Sequence, residues 1–294
     1  MAIKISVYIT TQNRPQFLNR ALNSLLHQSF KNFEVLICND CSRAEFSNEY
    51  KNIIDKFEGE FESLIYLEND KVEGACFSRN RLINIAKGDF ITGLDDDDYF
   101  HKDRLKHFIE FENIEKYSFL SSSLSSVIDK IDHELNIHSG NEITFESLKN
   151  SNVIGNQIFV SKEKLISVGG FDVQMPAWQD YDTWFRLTKV FGPSFKFEQV
   201  TMYLDNDDSR DRITTSSKAH QGYKRFILKH SSDLNYANLI SLKYIDLINR
   251  RQNFNIFSRD LLANPKILLR SAKYQSVYRF PKLYQFYAKF LRKS

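Results

Sequence analysis

Strand-like and helix-like segments alternate from Ile3 to Asp95, and this alternation limits the possible folds more than any other feature of the sequence. The stretch IKISVYIT predicts a buried, β-branched strand, and QFLNRALNSLLHQ carries apolar residues at helical spacing. FEVLICND, SLIYLEND and DFITGLD predict three more strands, with the helix-like FSRNRLINIAKG between the last two. Such alternation predicts an α/β fold with a Rossmann-like, mostly parallel central sheet flanked by helices.

Polar segments follow three of the predicted strands, namely Thr10–Arg14, Asn39–Ser42 and Asp95–Asp98. In open α/β sheets, ligands bind in the crevice beyond the carboxyl ends of the strands. A solvated acidic turn is the alternative for the aspartates taken alone. Three such segments at one edge of a sheet favour a binding site instead.

The four consecutive aspartates need an explanation, because adjacent carboxylates repel one another and resist burial. Hard divalent cations such as Mg²⁺ and Mn²⁺ bind oxygen ligands, often one or two protein carboxylates together with substrate phosphates. A D-x-D after a strand therefore predicts a metal that neutralises a nucleotide diphosphate. The sequence contains no G-x-x-x-x-G-K-[ST] and no G-x-G-x-x-G after a strand, which disfavours P-loop and dinucleotide sites.

Cysteine content and hydropathy indicate a cytoplasmic protein. The three cysteines, Cys38, Cys41 and Cys76, are too few for a disulfide framework. Cys38 and Cys41 form a single C-x-x-C without a second pair, so we interpret them as packed thiols rather than as a zinc or redox site. The amino terminus lacks signal-peptide features, and no stretch approaches the roughly 18–20 apolar residues of a membrane span.

The carboxyl-terminal segment from Asn264 to Ser294 differs from the rest of the chain in charge. It holds eight Lys or Arg and no acid, whereas the whole chain has a net charge of +3. Tyrosines and phenylalanines lie between the basic residues, which suits peripheral contact with an anionic membrane. Packing on the body of the protein or on a second subunit is the alternative. No nucleic-acid-binding motif is present, so we expect no nucleic-acid partner.

Three motifs in order resemble the signatures of family 2 glycosyltransferases, which have the GT-A fold, use nucleotide-sugar donors and invert the anomeric centre. They are ISVYITTQNRPQFLNRALNSLLHQSFKNFEVLICNDCS, SRNRLINIAKGDFITGLDDDDYFHKDRL and GGFDVQMPAWQDYDTWFRL. The resemblance spans about Ile3 to Leu187, and it is strongest for bacterial enzymes that build surface polysaccharides such as O-antigen and capsule.

The resemblance implies residues for nucleotide binding. Asp40 would bind the imide of a uracil base, and backbone near Thr10 would frame that base. Arg79 would lie at the diphosphate or the base. Apart from the resemblance, the stretch DSRDRITTS predicts a loop that carries Arg210 and Arg212 and could close over the diphosphate. The alternatives are a helix cap for Asp40, a surface position for Arg79 and a solvated loop for Arg212. Gln12 replaces an aromatic residue that often stacks on the base in the family, so UDP is the favoured nucleotide rather than a deduced one.

The resemblance also implies a metal site and a catalytic base. Asp97 would bind Mn²⁺ or Mg²⁺ directly, and Asp95 would be a second metal contact. Asp95 and Asp96 would reach the ribose or metal-bound water, whereas Asp98 is more typical of a structural turn. Asp180 matches the base that takes the proton of the acceptor hydroxyl. Asp182 is its rival, and a third interpretation makes both acids helix-start residues favoured by the helix dipole.

The resemblance thus implies a metal-dependent, inverting hexosyltransferase that transfers a sugar from a UDP-sugar to a lipid-linked glycan. We expect a catalytic domain over residues 1–222, with a nucleotide-binding half (1–105) and an acceptor-binding half (106–222), and a helical, basic-aromatic extension over 223–294. Trp178 could line the acceptor site, whereas Trp184 is more typical of a core. The alternatives are an inactive nucleotide-sugar-binding module and a metal-dependent nucleotidyltransferase.

Overall fold

A computed structural model describes most of the chain, namely residues 4–128, 131–135, 141–205, 217–255, 257–262, 265, 267–269 and 271–272. The chain divides into two units. The first comprises Met1–Leu148, Asn152–Met175 and Gln179–Arg210, and the second comprises Lys149–Ser151, Pro176–Trp178 and Asp211–Ser294. The expected boundary between residues 222 and 223 lies within the helix Ser217–Lys229 of the second unit.

The first half of the sheet is the parallel part that the sequence predicts. It contains β1 (Ile5–Thr11), β2 (Phe33–Asn39), β3 (Ser63–Glu68) and β4 (Phe90–Gly93), in the spatial order β3-β2-β1-β4. All three pairings among these strands are parallel. The interior strands β1, β2 and β4 are buried along almost their whole length, as their apolar runs predict. Because parallel strands end at one edge, the segments after β1, β2 and β4 share a rim.

The second half of the sheet is mixed. Its strands are β5 (Tyr99–Phe100), β6 (Leu120–Ile128), β7 (Ile131–Leu135), β8 (Glu142–Ile143), β9 (Phe159–Ser161) and β10 (Ser194–Asp205). The short strand β9 joins β4 to β6 through antiparallel pairing on both sides, while β6 and β10 run parallel. β5 and β8 pair antiparallel with β10, and β7 pairs with β6. The sheet is therefore mostly parallel around β1, and antiparallel strands extend it.

Seven helices are described in the first unit: α1 (Pro15–Leu26), α2 (Ser47–Phe57), α3 (Ala75–Ile85), α4 (Arg104–Ile109), α5 (Phe145–Leu148), α6 (Lys162–Ser167) and α7 (Gln179–Phe191). Pro15 begins α1 at a position where its missing N–H is not needed. The apolar stripe of α1 is buried in the core, at Leu18, Ala21, Leu22 and Leu25. The apolar face predicted for α7 is also buried, at Tyr181, Trp184, Phe185 and Leu187.

The second unit is helical where it is described, with α8 (Ser217–Lys229), α9 (Tyr236–Asn249) and α10 (Arg259–Leu262). A capping box formed by Asn235 and Asn238 begins α9. Buried Asp246 on α9 accepts hydrogen bonds from Arg250 and lies 3.0 Å from His220 Nδ1 on α8. In the described parts of the chain, no helix is long and apolar enough to span a bilayer.

The structure confirms the predicted α/β fold with a mostly parallel central sheet and flanking helices.

Candidate active site

The aspartate run after β4 alternates between solvent and interior. The side chains of Asp95 and Asp97 are 24% and 26% exposed, whereas Asp96 is 0% exposed and Asp98 is 4% exposed. The two solvent-facing acids are the two ends of a D-x-D. The four adjacent carboxylates therefore do not all lie in the same environment. Asp95 and Asp97 face solvent at the rim, and Asp96 and Asp98 face the interior.

Asp95 is held by three side-chain donors. Arg79 Nη2 donates to its Oδ1 at 2.9 Å, Gln157 Nε2 donates to the same oxygen at 3.0 Å, and Asn156 Nδ2 donates to Oδ2 at 2.9 Å. Tyr8 on β1 in turn donates its hydroxyl to Gln157 Oε1 at 3.2 Å. These contacts fix the Asp95 carboxylate and neutralise it with one guanidinium.

Arg14, in the segment after β1, contacts two acids of the run. Its Nη2 lies 2.6 Å from Asp96 Oδ1, and its Nη1 donates to Asp97 Oδ2 at 3.0 Å. Burial raises the pKa of Asp96 to about 7, although Arg14 opposes the shift. Arg20 on α1 donates to the backbone carbonyl of Asp97. The guanidinium of Arg14 thus lies at the Asp97 carboxylate, where a bound metal cation would be expected.

Asp98 has a structural position. Its Oδ2 accepts from Asn156 Nδ2 at 3.0 Å and its Oδ1 from the backbone N–H of Asp205 at 3.2 Å, which ties the run to the end of β10. Burial and the neighbouring acids Asp95 and Asp97 raise the pKa of Asp98 above its usual range. This placement matches the interpretation of Asp98 as a turn acid.

Asp180, at the start of α7, is the second acid in contact with Arg79. Arg79 Nη1 donates to Asp180 Oδ1 at 2.7 Å, and the Asp180 side chain is 21% exposed. Burial raises the pKa of Asp180 to about 6, while Arg79 lowers it and Asp95 raises it. A carboxylate of this pKa is ionised at neutral pH and can accept a proton from a bound hydroxyl.

Asp182 is fully buried, and Arg186 contacts its Oδ2 from Nη2 at 2.8 Å and from Nε at 2.9 Å. Its carboxylate is thus paired in the interior, away from any acceptor.

Asp40, after β2, accepts three hydrogen bonds from the segment before α3. Asn69 Nδ2 and the Glu73 N–H donate to Oδ1 at 2.7 and 2.9 Å, and the Gly74 N–H donates to Oδ2 at 2.8 Å. The alternative of a cap on the following helix is wrong, because Asp40 instead organises the loop that begins α3. Thr10, near the end of β1, lies opposite Cys38 in β2, two residues before Asp40.

The structure brings Asp95 and Asp180 into contact with the same guanidinium, that of Arg79. Asp96 differs from its expected placement: contact with ribose or metal-bound water requires a solvent-facing carboxylate, and Asp96 is fully buried against Arg14. Arg212 lies outside the described residues.

The two tryptophans have different surroundings. Trp184 is fully buried in the first unit. Trp178, in the second unit, has φ +63° and is half-buried, with ring centroids 5.5 Å from both Tyr223 and Phe226.

Sequence reasoning assigned no role to Arg14, Asn156 or Gln157, although all three contact the aspartate run. The two amides lie about 60 residues after the run in sequence and reach it because β9 pairs with β4. The one signal in the sequence is a pair of adjacent amides between Gly155 and an apolar strand.

The donor set suits partial coordination of a hard cation. Among the described residues, no three His, Cys, Asp or Glu side chains converge on a point that could hold a metal ion alone. Arg14 already contacts one oxygen of Asp97, so a divalent ion at that carboxylate would compete with the guanidinium and would be completed by substrate phosphates. The three cysteines are free thiols.

Residues 6–164, more than half of the chain, match the family described as "Glycosyl transferase family 2". The chain belongs to glycosyl transferase family 2. The putative colanic acid biosynthesis glycosyl transferase WcaA of Escherichia coli K12 is 31% identical over 80% of this chain and 84% of WcaA. The putative teichuronic acid biosynthesis glycosyltransferase TuaG of Bacillus subtilis is 28% identical over 63% of this chain and 72% of TuaG.

Two solved structures support the GT-A fold. S. aureus TarS 1–349 in complex with UDP-GlcNAc has a TM-score of 0.66 and 17% identity, covering 94% of this chain and 81% of that one. The mannosyltransferase PcManGT from Pyrobaculum calidifontis in complex with GDP-Man and Mn²⁺ has a TM-score of 0.61 and 14% identity, covering 99% of this chain and 81% of that one. The resemblance seen in the sequence to family 2 glycosyltransferases is confirmed.

Proposed function

We propose that this glycosyltransferase is a metal-dependent, inverting hexosyltransferase that moves a sugar from a UDP-sugar to a hydroxyl of a lipid-linked glycan in bacterial surface-polysaccharide biosynthesis. The observation that carries the proposal is the contact of one guanidinium, that of Arg79, with both Asp95 and Asp180. Sugar transfer needs a donor-binding acid and a proton acceptor close together, and this cluster offers both.

Asp180 is the proposed base. As the acceptor hydroxyl attacks the anomeric carbon from the face opposite the leaving diphosphate, the Asp180 carboxylate takes its proton. A pKa of about 6, raised by burial, keeps that carboxylate ionised at neutral pH and able to bind the proton. A single base suffices for inversion, because no covalent sugar–enzyme intermediate forms.

The donor nucleotide is proposed to bind at the rim formed after β1 and β2. The three amide and N–H donors on Asp40 hold its carboxylate in place, and Oδ2 receives one of them, so it can also accept the imide N–H of uracil. Backbone near Thr10 would frame the base. UDP is supported by the UDP-GlcNAc complex of TarS and by the name of a relative, the UDP-Glc:alpha-D-GlcNAc-diphosphoundecaprenol beta-1,3-glucosyltransferase WfaP of Escherichia coli, 32% identical over 40% of this chain.

Mn²⁺ or Mg²⁺ is the proposed cofactor, held by Asp97 with Asp95 as the neighbouring acid. When bound, the ion neutralises charge on the leaving diphosphate. The Mn²⁺ in the PcManGT complex supports this choice. We leave Asp96 out of the proposed donor site, because its buried carboxylate is paired with Arg14.

A lipid-linked glycan is the proposed acceptor, supported by the diphosphoundecaprenol acceptor in the name of WfaP. Such a substrate places the enzyme peripherally on the inner face of the cytoplasmic membrane. The second unit suits this location because several large apolar side chains on it are at least half exposed: Leu228, Tyr236, Phe257, Leu262 and Leu269. The basic-aromatic segment after Asn264, mostly outside the described residues, would add electrostatic attraction.

The roles of the chain segments follow the proposed chemistry. Residues 1–105 supply Thr10, Asp40 and the D-x-D, and we propose them as the donor-binding half. Residues 106–222 supply Asp180 and are the proposed acceptor-binding half, and residues 223–294 are the proposed membrane-facing extension.

The test is nucleoside diphosphate release from a panel of UDP-, GDP- and dTDP-sugars, with a GlcNAc-diphosphate-lipid as the acceptor probe. Reactions contain Mn²⁺, Mg²⁺ or chelator, and the anomeric configuration of the product is read by NMR. Metal-dependent release of UDP with an inverted product supports the proposal. Release of pyrophosphate from a nucleoside triphosphate would indicate a nucleotidyltransferase, and nucleotide binding without turnover of any donor would indicate an inactive module.

A further inference from the structure

Arg79 joins two acids that come from different parts of the chain. It lies on α3, and its guanidinium donates to Asp180 on α7 at 2.7 Å and to Asp95 after β4 at 2.9 Å. Its side chain is 6% exposed. Nη1 and Nη2 of Arg79 are therefore each engaged by a carboxylate, Nη1 by Asp180 and Nη2 by Asp95.

The guanidinium of Arg79 packs against the ring of Phe171. Arg79 Cζ lies 5.0 Å from the centroid of the Phe171 ring. The backbone of Phe171 is itself fixed to α3, because Asn80 donates to its carbonyl at 2.7 Å and accepts from its N–H at 2.9 Å. Gly170 precedes Phe171 at φ +62°, and a Cβ there would lie 2.5 Å from Asn80 Oδ1. The residue after Arg79 thus holds the ring against which Arg79 packs.

The charges of the cluster are complementary. Burial alone would lower the pKa of Arg79. The negative charges of Asp180 and Asp95 raise that pKa by more than burial lowers it, so the guanidinium stays charged. The titratable or charged groups that face Asp180 are Arg79 and Cys76 on α3, Asp95 after β4 and Tyr8 on β1. Arg79 is the one cation among these groups, and without it the carboxylates of Asp95 and Asp180 would repel each other with no cation between them.

We propose that Arg79 is a positioning residue: it holds the Asp180 carboxylate at a fixed distance from the D-x-D, so that the base and the nucleotide-sugar are set relative to each other. This rests on the proposed function, and it replaces the nucleotide contact that the family resemblance implies for Arg79. Asp95 still accepts hydrogen bonds from Asn156 and Gln157 when Arg79 is removed. Binding of the nucleotide-sugar therefore depends on Arg79 less than the position of Asp180 does.

The experiment compares Arg79→Met and Arg79→Lys with Arg186→Met, using the UDP-sugar that the donor panel identifies and the GlcNAc-diphosphate-lipid probe. Arg186 is a matched control, because it also pairs with an aspartate of α7 at 2.8 Å but on Asp182. We expect Arg79→Met to lower kcat by about 10- to 100-fold with the Kd for UDP changed less than about threefold. Arg79→Lys, which can reach one acid at a time, should recover part of kcat.

The pH profile gives a second readout that a purely structural role would not move. Arg79 lowers the pKa of Asp180, so its removal raises that pKa and moves the acidic limb of kcat/KM to higher pH. Arg186→Met should leave the limb in place. A rise in the Kd for UDP with kcat and the acidic limb unchanged would overturn the proposal and return Arg79 to the nucleotide.

A double-mutant cycle on unfolding by urea separates this inference from the proposed function. If Arg79 and Asp180 are paired, Asp180→Asn should destabilise the wild type and have a clearly different effect in the Arg79→Met background. Additive effects would overturn the pairing even if the enzyme turns over UDP-sugars. Coupled effects in a protein that turns over no donor would leave the pairing standing and remove the proposed function instead.

Discussion

Asp180 and Asp182 lie two residues apart on α7, and different arginines neutralise them. Arg79 contacts Asp180 at the rim of the sheet, whereas Arg186 contacts Asp182 in the interior. Residues two apart on a helix point to nearly opposite sides. If one of the two acids faces a substrate at the rim, the other therefore faces the interior. The Asp180 side chain is 21% exposed and that of Asp182 is 0% exposed. This geometry favours Asp180 over Asp182 as the proposed base.

Activity should fall as the pH drops through the pKa of Asp180. Burial raises that pKa to about 6, so the carboxylate is ionised above this value and protonated below it. We expect kcat/KM to be level near pH 7.5 and to fall about tenfold per pH unit well below pH 6. The measurement is initial UDP release between pH 5 and 8 at saturating metal. A profile that stays level down to about pH 5 would contradict a base with this pKa.

The stability of the fold should depend on Lys196 in the alkaline range. Lys196 is 2% exposed, its Nζ donates to the Val153 carbonyl at 2.8 Å, and burial lowers its pKa to about 8 from 10.5. The unfolded chain therefore holds the proton more tightly, and the folded state gains stability as the pH rises from about 8 towards 10.5. Urea unfolding at pH 7.5 and 9.5 should show the free energy of unfolding of the wild type rising relative to that of Lys196→Met. A pH-independent difference would contradict the shifted pKa.

Loss of Arg14 should tighten metal binding in the absence of nucleotide. Arg14 Nη1 lies 3.0 Å from Asp97 Oδ2, so it competes with a divalent ion for that carboxylate. We expect Arg14→Met to bind Mn²⁺ roughly 3- to 10-fold more tightly, as removal of one neighbouring charge implies. Electron paramagnetic resonance measures free Mn²⁺, and Arg43→Met is the charge-matched control because Arg43 is 65% exposed and pairs with Glu45. Weaker Mn²⁺ binding in Arg14→Met would show that Arg14 orients Asp97 instead.

Gly93 at the end of β4 should tolerate no side chain. A Cβ there would lie 2.0 Å from Gln157 Oε1 and 2.4 Å from the Tyr8 ring, two members of the network that holds Asp95. We expect Gly93→Ala to lower the free energy of unfolding by about 1–3 kcal/mol through overpacking. Gly59→Ala measures the cost of backbone strain alone, because that position has positive φ but open space around it. An unchanged free energy of unfolding in Gly93→Ala would contradict a close contact at Gly93.

The sequence was sufficient for the features that depend on local pattern. Apolar runs and helical spacing predicted β1, β2, β4, α1 and the buried face of α7. The order of the polar segments predicted which strand ends share a rim. The alternation within Asp95–Asp98 was not predictable, because it depends on the backbone path after β4 and on Arg14, which reaches the run across the sheet.

Contacts between distant segments also escaped prediction. Asn156 and Gln157 can donate hydrogen bonds to Asp95 only when β9 pairs antiparallel with β4. No local sequence pattern predicts that pairing. Asp40 follows a strand, as expected, but its hydrogen bonds go to the loop before α3 rather than to the next helix.

The most direct test of the account compares Asp180→Asn with Asp182→Asn. Both substitutions remove one charge from α7, and each leaves an arginine without its carboxylate partner. UDP release from the preferred UDP-sugar is measured with saturating metal and acceptor probe, together with the Kd for UDP and the free energy of unfolding. The account predicts that Asp180→Asn lowers kcat by at least about 10²-fold with the Kd for UDP little changed. Asp182→Asn should lower stability while folded protein keeps its kcat. Full kcat in Asp180→Asn, or loss of kcat in folded Asp182→Asn alone, would contradict Asp180 as the base.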